Sequence, residues 1–225
     1  MEKEINLNKL IKIQKLLSKK VIKEIPNDFS PKIITGVDIS YSKKSNIAVV
    51  MAVSTDISGE KIIEKKYFEY EAKFPYISGF LGFREVPYFR KVLLSLKKKP
   101  DLILVDGFGI LHPRLFGSAA HLGVIIHKST IGIGKSKFVG KAEHIPDRPN
   151  NWAYITFNGK ILGAILKPNT GKPIYISVGN LIDLETAINI VIELIKPVHR
   201  IPEPLYLADK LSRELIIKIN NSLTS

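Results

Sequence analysis

The chain has 225 residues, of which 45% are hydrophobic and 24% charged, a balance that suits a globular fold with a substantial core and excludes a disordered or collagen-like chain. Its lack of cysteine excludes disulfides and thiolate metal sites, and no uncharged apolar run reaches the roughly 18 residues that a membrane-spanning helix needs. The net charge of +13, with a pI near 9.7, favours a polyanionic partner, nucleic acid above all.

The opening MEKEINLNKL has no apolar h-region, so no secretory signal is expected and the expected compartment is cytoplasmic. Leu7, Leu10, Ile11, Leu17 and Val21 recur near a 3.6 period with lysines between them, which predicts an amphipathic helix over residues 7–24. Pro26 to Pro31 connects it to three short segments rich in β-branched and aromatic residues, at 33–41, 46–54 and 61–70. Turn signals at Lys43–Ser45 and Ser58–Gly59 make these an antiparallel meander. The apolar AVVMAV run marks the second strand as central, and the charge–aromatic alternation of the third marks it as a half-exposed edge. Phe74 to Pro87 reads as a loop leading into a helix that runs to about Leu96, closed by Lys97–Lys99 and Pro100.

A buried strand over 101–106 follows, apolar from Leu102 to Val105 and ending on Asp106 with a glycine directly after it. Next come a helix from about Gly117 to His127, a short strand at 130–134, and a loop over 135–151 that carries Lys135, Lys137, Lys141, His144 and Arg148. Strands at 153–157, 161–166 and 174–178, with an Asn158–Gly159 hairpin turn, precede helices at 183–195 and from Glu203 to about Ile219. Three antiparallel strands, a helix, a strand, a helix and a strand is the order of a ribonuclease H-like fold, an α/β architecture with a mixed sheet flanked by helices on both faces. No repeat or long linker divides the chain, so residues 1–225 read as one domain. In that order the first and fourth strands end side by side, which would bring Asp38 to Asp106.

Asp38, Glu85 and Asp106 stand out because none of their neighbours is acidic. A buried carboxylate is costly unless something neutralises it, and hard divalent cations such as Mg²⁺ do so through oxygen ligands. Two or three such carboxylates suffice for metal-assisted phosphodiester hydrolysis. Five motifs follow one another along the chain: GVDISY around Asp38, PYISGFLGFRE from Pro75 to Glu85, DGFGILHPRLFGSAAHLG from Asp106, TIGIGK ending at Lys135 and HRIPEPLYLAD ending at Asp209. On these the sequence resembles the endonuclease V family of inosine-specific endonucleases along nearly its full length.

The resemblance implies a Mg²⁺-dependent endonuclease, with Mn²⁺ able to substitute, acting as a monomer on inosine-containing DNA, RNA being a second substrate class in the family. In the family the cut falls at the second phosphodiester 3′ to the deaminated base and leaves 3′-hydroxyl and 5′-phosphate ends. Asp38, Glu85, Asp106 and Asp209 would be metal ligands, with Lys135 near the scissile phosphate. His112 would contact phosphate or a metal-bound water, or else hydrogen-bond within the glycine-rich loop. Gly79, Leu81 and Gly107 would line the base pocket with Gly117 and Ser118 opposite. Pro75, Tyr76, Ile77 and Ser78 would be a wedge that fills the gap left by a flipped base. The chain departs from the family's usual residues at Ser78, where proline is common, at Phe108, where a polar residue is frequent, and at Gly134, where alanine is. The alternative is another ribonuclease H-like nuclease, of junction-resolvase or ribonuclease H type, which would keep the carboxylates without needing Tyr76. A non-catalytic nucleic-acid module fits least, because three buried acids without a cation destabilise a fold.

Overall fold

Aliphatic runs buried on both faces give a chain its central strands, and here they gather into one sheet. The computed structural model describes residues 5–222. The elements are α1 (Leu7–Ser18), β1 (Ile33–Tyr41), β2 (Ile47–Asp56), β3 (Ile62–Glu71), α2 (Leu81–Leu94), β4 (Leu102–Asp106) and α3 (Ser118–Ile126), followed by β5 (Ser129–Gly134), β6 (Lys141–Ala142), β7 (Trp152–Phe157), β8 (Lys160–Leu166), β9 (Ile174–Asn180), α4 (Leu184–Leu194) and α5 (Glu203–Ser222). Nine strands form a single sheet in the order β3-β2-β1-β4-β5-β9-β8-β7-β6. β1 to β3 form the expected antiparallel meander, with β2 buried along nearly its whole length and β3 alternating at the edge. β1, β4 and β5 run parallel through the middle, as crossover helices require.

The strand period of two sorts the side chains onto two layers. Val37, Ile39, Ile103 and Val105 pack with Val86, Phe89 and Val92 of α2 and Ala119 and Leu122 of α3. On the opposite face Ile34, Leu102 and Leu104 join the core that includes α4 and Leu205, and Met51 and Val53 pack against Ala208 of α5. The chain therefore folds as the mixed sheet between helices that the order of elements predicted.

Three details differ from the sequence expectations. α2 begins at Leu81 and runs through Pro87 instead of starting after it. Pro87 lies on the exposed side, where water can satisfy the carbonyl left without a donor, while Val86, Phe89, Val92 and Leu93 anchor the other side. α1 stops at Ser18 because the chain beyond it is drawn into other bonds: the Ile22 amide donates to Asn180 Oδ1 at 3.0 Å, and its carbonyl accepts from Leu181 at 2.7 Å. The 135–151 loop contains the two-residue strand β6, paired with β7.

The start of α5 lies directly against β1 at Gly36. A Cβ there would fall on the Pro204–Leu205 backbone. Gly36→Ala must push α5 off the sheet, an overpacking cost of about 1–3 kcal/mol. Urea unfolding should show that loss together with impaired function, since α5 carries Asp209; an unchanged midpoint would contradict the packing.

Candidate active site

In β1, Ile34, Gly36 and Asp38 share one face, and in β4 Leu102, Leu104 and Asp106 share the same one. The parallel register pairs Val37 with Val105, so the two aspartates that follow lie side by side on the α5 face. α5 brings Asp209 to them. One carboxylate oxygen from each of Asp38, Asp106 and Asp209 lies within 4.8 Å of the others. Lys135, the residue after β5, reaches into this group: its Nζ is 2.5 Å from Asp106 Oδ2 and 2.7 Å from Asp209 Oδ1. Arg213, one turn further along α5, also donates to Asp209, at 2.8 Å, so an i,i+4 ion pair exists alongside the cluster.

The electrostatics follow from this crowding. Burial first, then Asp106, pushes the Asp38 carboxyl up to about 7, although Lys135 and a hydrogen bond donated by Ser212 Oγ at 3.0 Å pull the other way. Burial alone would lower the Lys135 ammonium, but Asp106, Asp209 and Asp38 outweigh it and hold that lysine above its ordinary value. Glu85 stands apart from the three aspartates. It projects from α2, on the other side of the sheet, and accepts a hydrogen bond from Tyr41 Oη at 3.2 Å. Burial, then Asp38 and Asp106, keeps its carboxyl well above the usual range.

A cavity of about 440 Å³ joins these groups, within the ~300–1,000 Å³ range of small-molecule sites. Asp38, Glu85, Asp106 and Lys135 line one part of it, and Gly79, Leu81, Gly107, Gly117 and Ser118 line another. Tyr76 and Ser78 reach its rim. Tyr76 is 70% exposed, so it is not a core aromatic, and Pro75 beside it is exposed too. Ile77 is half-buried, and the 74–80 segment is neither helix nor strand.

His112 is buried in the cavity wall with both ring nitrogens engaged. Nδ1 accepts from the Arg114 amide at 3.2 Å, so Nε2 carries the proton and donates to the Gly79 carbonyl at 3.1 Å. Burial, then Arg114, depresses it to about 4, leaving a neutral imidazole. His121, also buried, sits behind Phe83 and Phe116.

Four residues of the site escaped the sequence expectations. Ser212, one turn beyond Asp209, and Tyr41, three residues beyond Asp38, could have been found by asking what bonds each carboxylate. Phe138 stacks on Phe108 in the cavity wall, ring centres 5.5 Å apart. Gln14 is the buried residue of α1, and it occupies the gap in that helix's apolar series, where a hydrophobic side chain was due.

A family model described as endonuclease V matches residues 15–210. An endonuclease V from Nostoc sp. is 37% identical over 209 residues, covering 92% of this chain and 94% of that protein. One from Rippkaea orientalis is 42% identical over 204 residues, covering 89% and 87%. Among solved structures, Bacillus subtilis endonuclease V superposes with a TM-score of 0.90 at 28% identity, covering 99% of this chain and 97% of that one. Ciona intestinalis endonuclease V, in complex with a 24mer DNA containing an inosine followed by a ribo-adenosine, gives 0.84 at 32% identity over 95% and 98%.

The raised Asp38 carboxyl predicts how metal-free protein responds to pH. Between about 4 and 7 the folded state holds a proton that the unfolded chain has already released, so stability must fall as pH rises through that window. Glu85, also raised, adds the same sign. Thermal unfolding in a chelating buffer should show this decline, and Asp38→Asn should flatten it.

Proposed function

The chain belongs to the endonuclease V family, and from that premise we propose that it is a Mg²⁺-dependent endonuclease that cuts nucleic acid at the second phosphodiester 3′ to inosine, leaving 3′-hydroxyl and 5′-phosphate ends. The observation that carries this is the single cavity in which a carboxylate cluster and a glycine-walled pocket adjoin, with an exposed tyrosine at its rim. The Ciona relative bound to inosine-containing DNA supports the substrate class. The reading takes residues 1–225 as one endonuclease V domain and the protein as a cytoplasmic monomer acting in DNA repair. In keeping with that, among the described residues no helix is long and apolar enough to cross a membrane.

The donor set fits a hard divalent cation. Three carboxylates offer oxygens within 4.8 Å of one another, and there is no thiolate to select a softer metal. Asp38, Asp106 and Asp209 would hold it, with Glu85 reaching it from the α2 side; Mn²⁺ would substitute. When bound, such an ion lowers the pKa of an attacking water and offsets charge building on the phosphate. Ser212 orients Asp38 through its hydroxyl, and Tyr41 orients Glu85. Lys135 supplies positive charge beside the scissile phosphate. His112 acts through the Gly79 carbonyl it holds, since a bond to phosphate would break one it already makes.

The base is read in the other part of the cavity. Hypoxanthine carries a carbonyl where adenine carries an amine, so the pocket must donate a hydrogen bond at that edge; the backbone N–H groups of Gly79 and Leu81 would do so, while Gly107, whose own N–H is given to the Ile133 carbonyl at 3.0 Å, lines the pocket with Gly117 and Ser118. A base inside a duplex must first be flipped out, and the Pro75–Ser78 segment is the wedge, with Tyr76 stacking where the base has left.

Cleavage of matched inosine-DNA and inosine-RNA oligonucleotides with Mg²⁺ tests this. Inosine strands should be cut at the stated bond and inosine-free controls spared. Equal cutting of inosine-free duplexes or junctions would favour a general ribonuclease H-like nuclease. Asp38→Asn and Asp106→Asn should each abolish cutting while the protein stays folded; near wild-type rates would refute the metal assignment. Tyr76→Ala should weaken binding to inosine duplexes by roughly ten- to a hundredfold, and single strands less, because an inserted ring restores about 1–3 kcal/mol of stacking. Equal losses on both substrates would rule out the wedge.

A further inference from the structure

α1 is anchored by a polar side chain. Leu7 and Leu16 are exposed, and the buried residue of α1 is Gln14. Its amide is fully engaged: Nε2 donates to the Gly79 carbonyl at 2.9 Å and to the Phe116 carbonyl at 3.1 Å, and Oε1 accepts from Arg114 Nε at 2.5 Å. Gly79 O receives two further donors, Arg114 NH2 at 2.6 Å and His112 Nε2 at 3.1 Å.

The two carbonyls that Gln14 joins belong to two separate segments of the cavity wall. Gly79 follows the wedge segment and sits just before α2, and Phe116 precedes Gly117 and Ser118 at the start of α3. Both segments and Gln14 itself line the cavity. One planar amide donating to both sides fixes their separation, because its two N–H groups leave one nitrogen at a set angle.

We propose that Gln14 is a specificity-determining positioning residue, a spacer that sets the width of the base pocket and so admits hypoxanthine while excluding guanine, which differs by its 2-amino group. This rests on the inosine-endonuclease reading. A tight pocket rejects an extra amino group by size, an effect that acts at binding and discrimination and leaves the carboxylate cluster untouched.

Two variants test it. Gln14→Met keeps the volume and removes all three bonds; Gln14→Glu keeps an acceptor for Arg114 but has no N–H for either segment. Steady-state cleavage of single-stranded inosine and guanosine oligonucleotides, with Mg²⁺ and the full chain, should show the inosine-to-guanosine ratio of kcat/KM falling at least tenfold in both variants. KM for inosine should rise, and kcat should stay within threefold. If one variant fails to fold, the other still decides. An unchanged ratio, or a proportional loss on both substrates, would make Gln14 a stability residue only and overturn the proposal. If the wild type cuts no inosine strand, the nuclease reading falls first; if it cuts and the variants discriminate as it does, only the spacer falls.

Discussion

Three carboxylates within 4.8 Å of one another repel unless a cation stands among them, and in this chain that cation is the Lys135 ammonium. It is itself held at both ends. Its side chain touches Asp106 and Asp209, and its backbone carbonyl accepts from Arg200 NH2 at 2.5 Å. Arg200 also donates to the carbonyls of Lys172 and Pro173, so the segment before α5 is fastened to the ends of β5 and β9. The sheet register, the start of α5 and the acidic cluster are thus one mechanical unit. Removing any of them leaves a half-buried charge without its partner, which is costly in a way an exposed ion pair is not.

The opposite end of the cavity is built by close approach instead of charge. Gly107, at φ +142°, lies where a Cβ would strike Ser118 Oγ. Phe108 and Gly134 are coupled by packing. A Cβ on residue 134 would press into the Phe108 ring, so the smaller residue makes room for the larger, and Phe138 then stacks on that ring. The wall thereby gains an aromatic surface of two stacked rings.

Much of this was legible before any coordinates. The apolar runs gave β1, β2 and β4, the alternation gave the edge strand β3, and the parallel neighbours β1 and β4 followed from element order, which alone brings Asp38 to Asp106. What was not legible depends on partners distant in sequence. Glu85 lies on a helix because apolar neighbours outweigh Pro87, a balance that local signals cannot show. Ser212, Tyr41 and Gln14 act through bonds to residues 44 to 174 positions away. Polar side chains of ordinary type carry no periodic signature; only the gap in the α1 series hinted at one of them.

The docking of α5 against β1 and β2 has a consequence for how the protein comes into being. Chains begin to fold from the N-terminal side as they are synthesised. β1 to β5 can pair while residues beyond them are still being added, yet Met51 and Val53 then lack the cover of Ala208, and Asp38 lacks both Ser212 and the third carboxylate. The newborn chain emerges beside RNA, carrying a surplus of positive charge. Its acidic cluster stays incomplete until the last helix of the fold arrives, so the order of translation itself keeps the half-made molecule from being a finished active site.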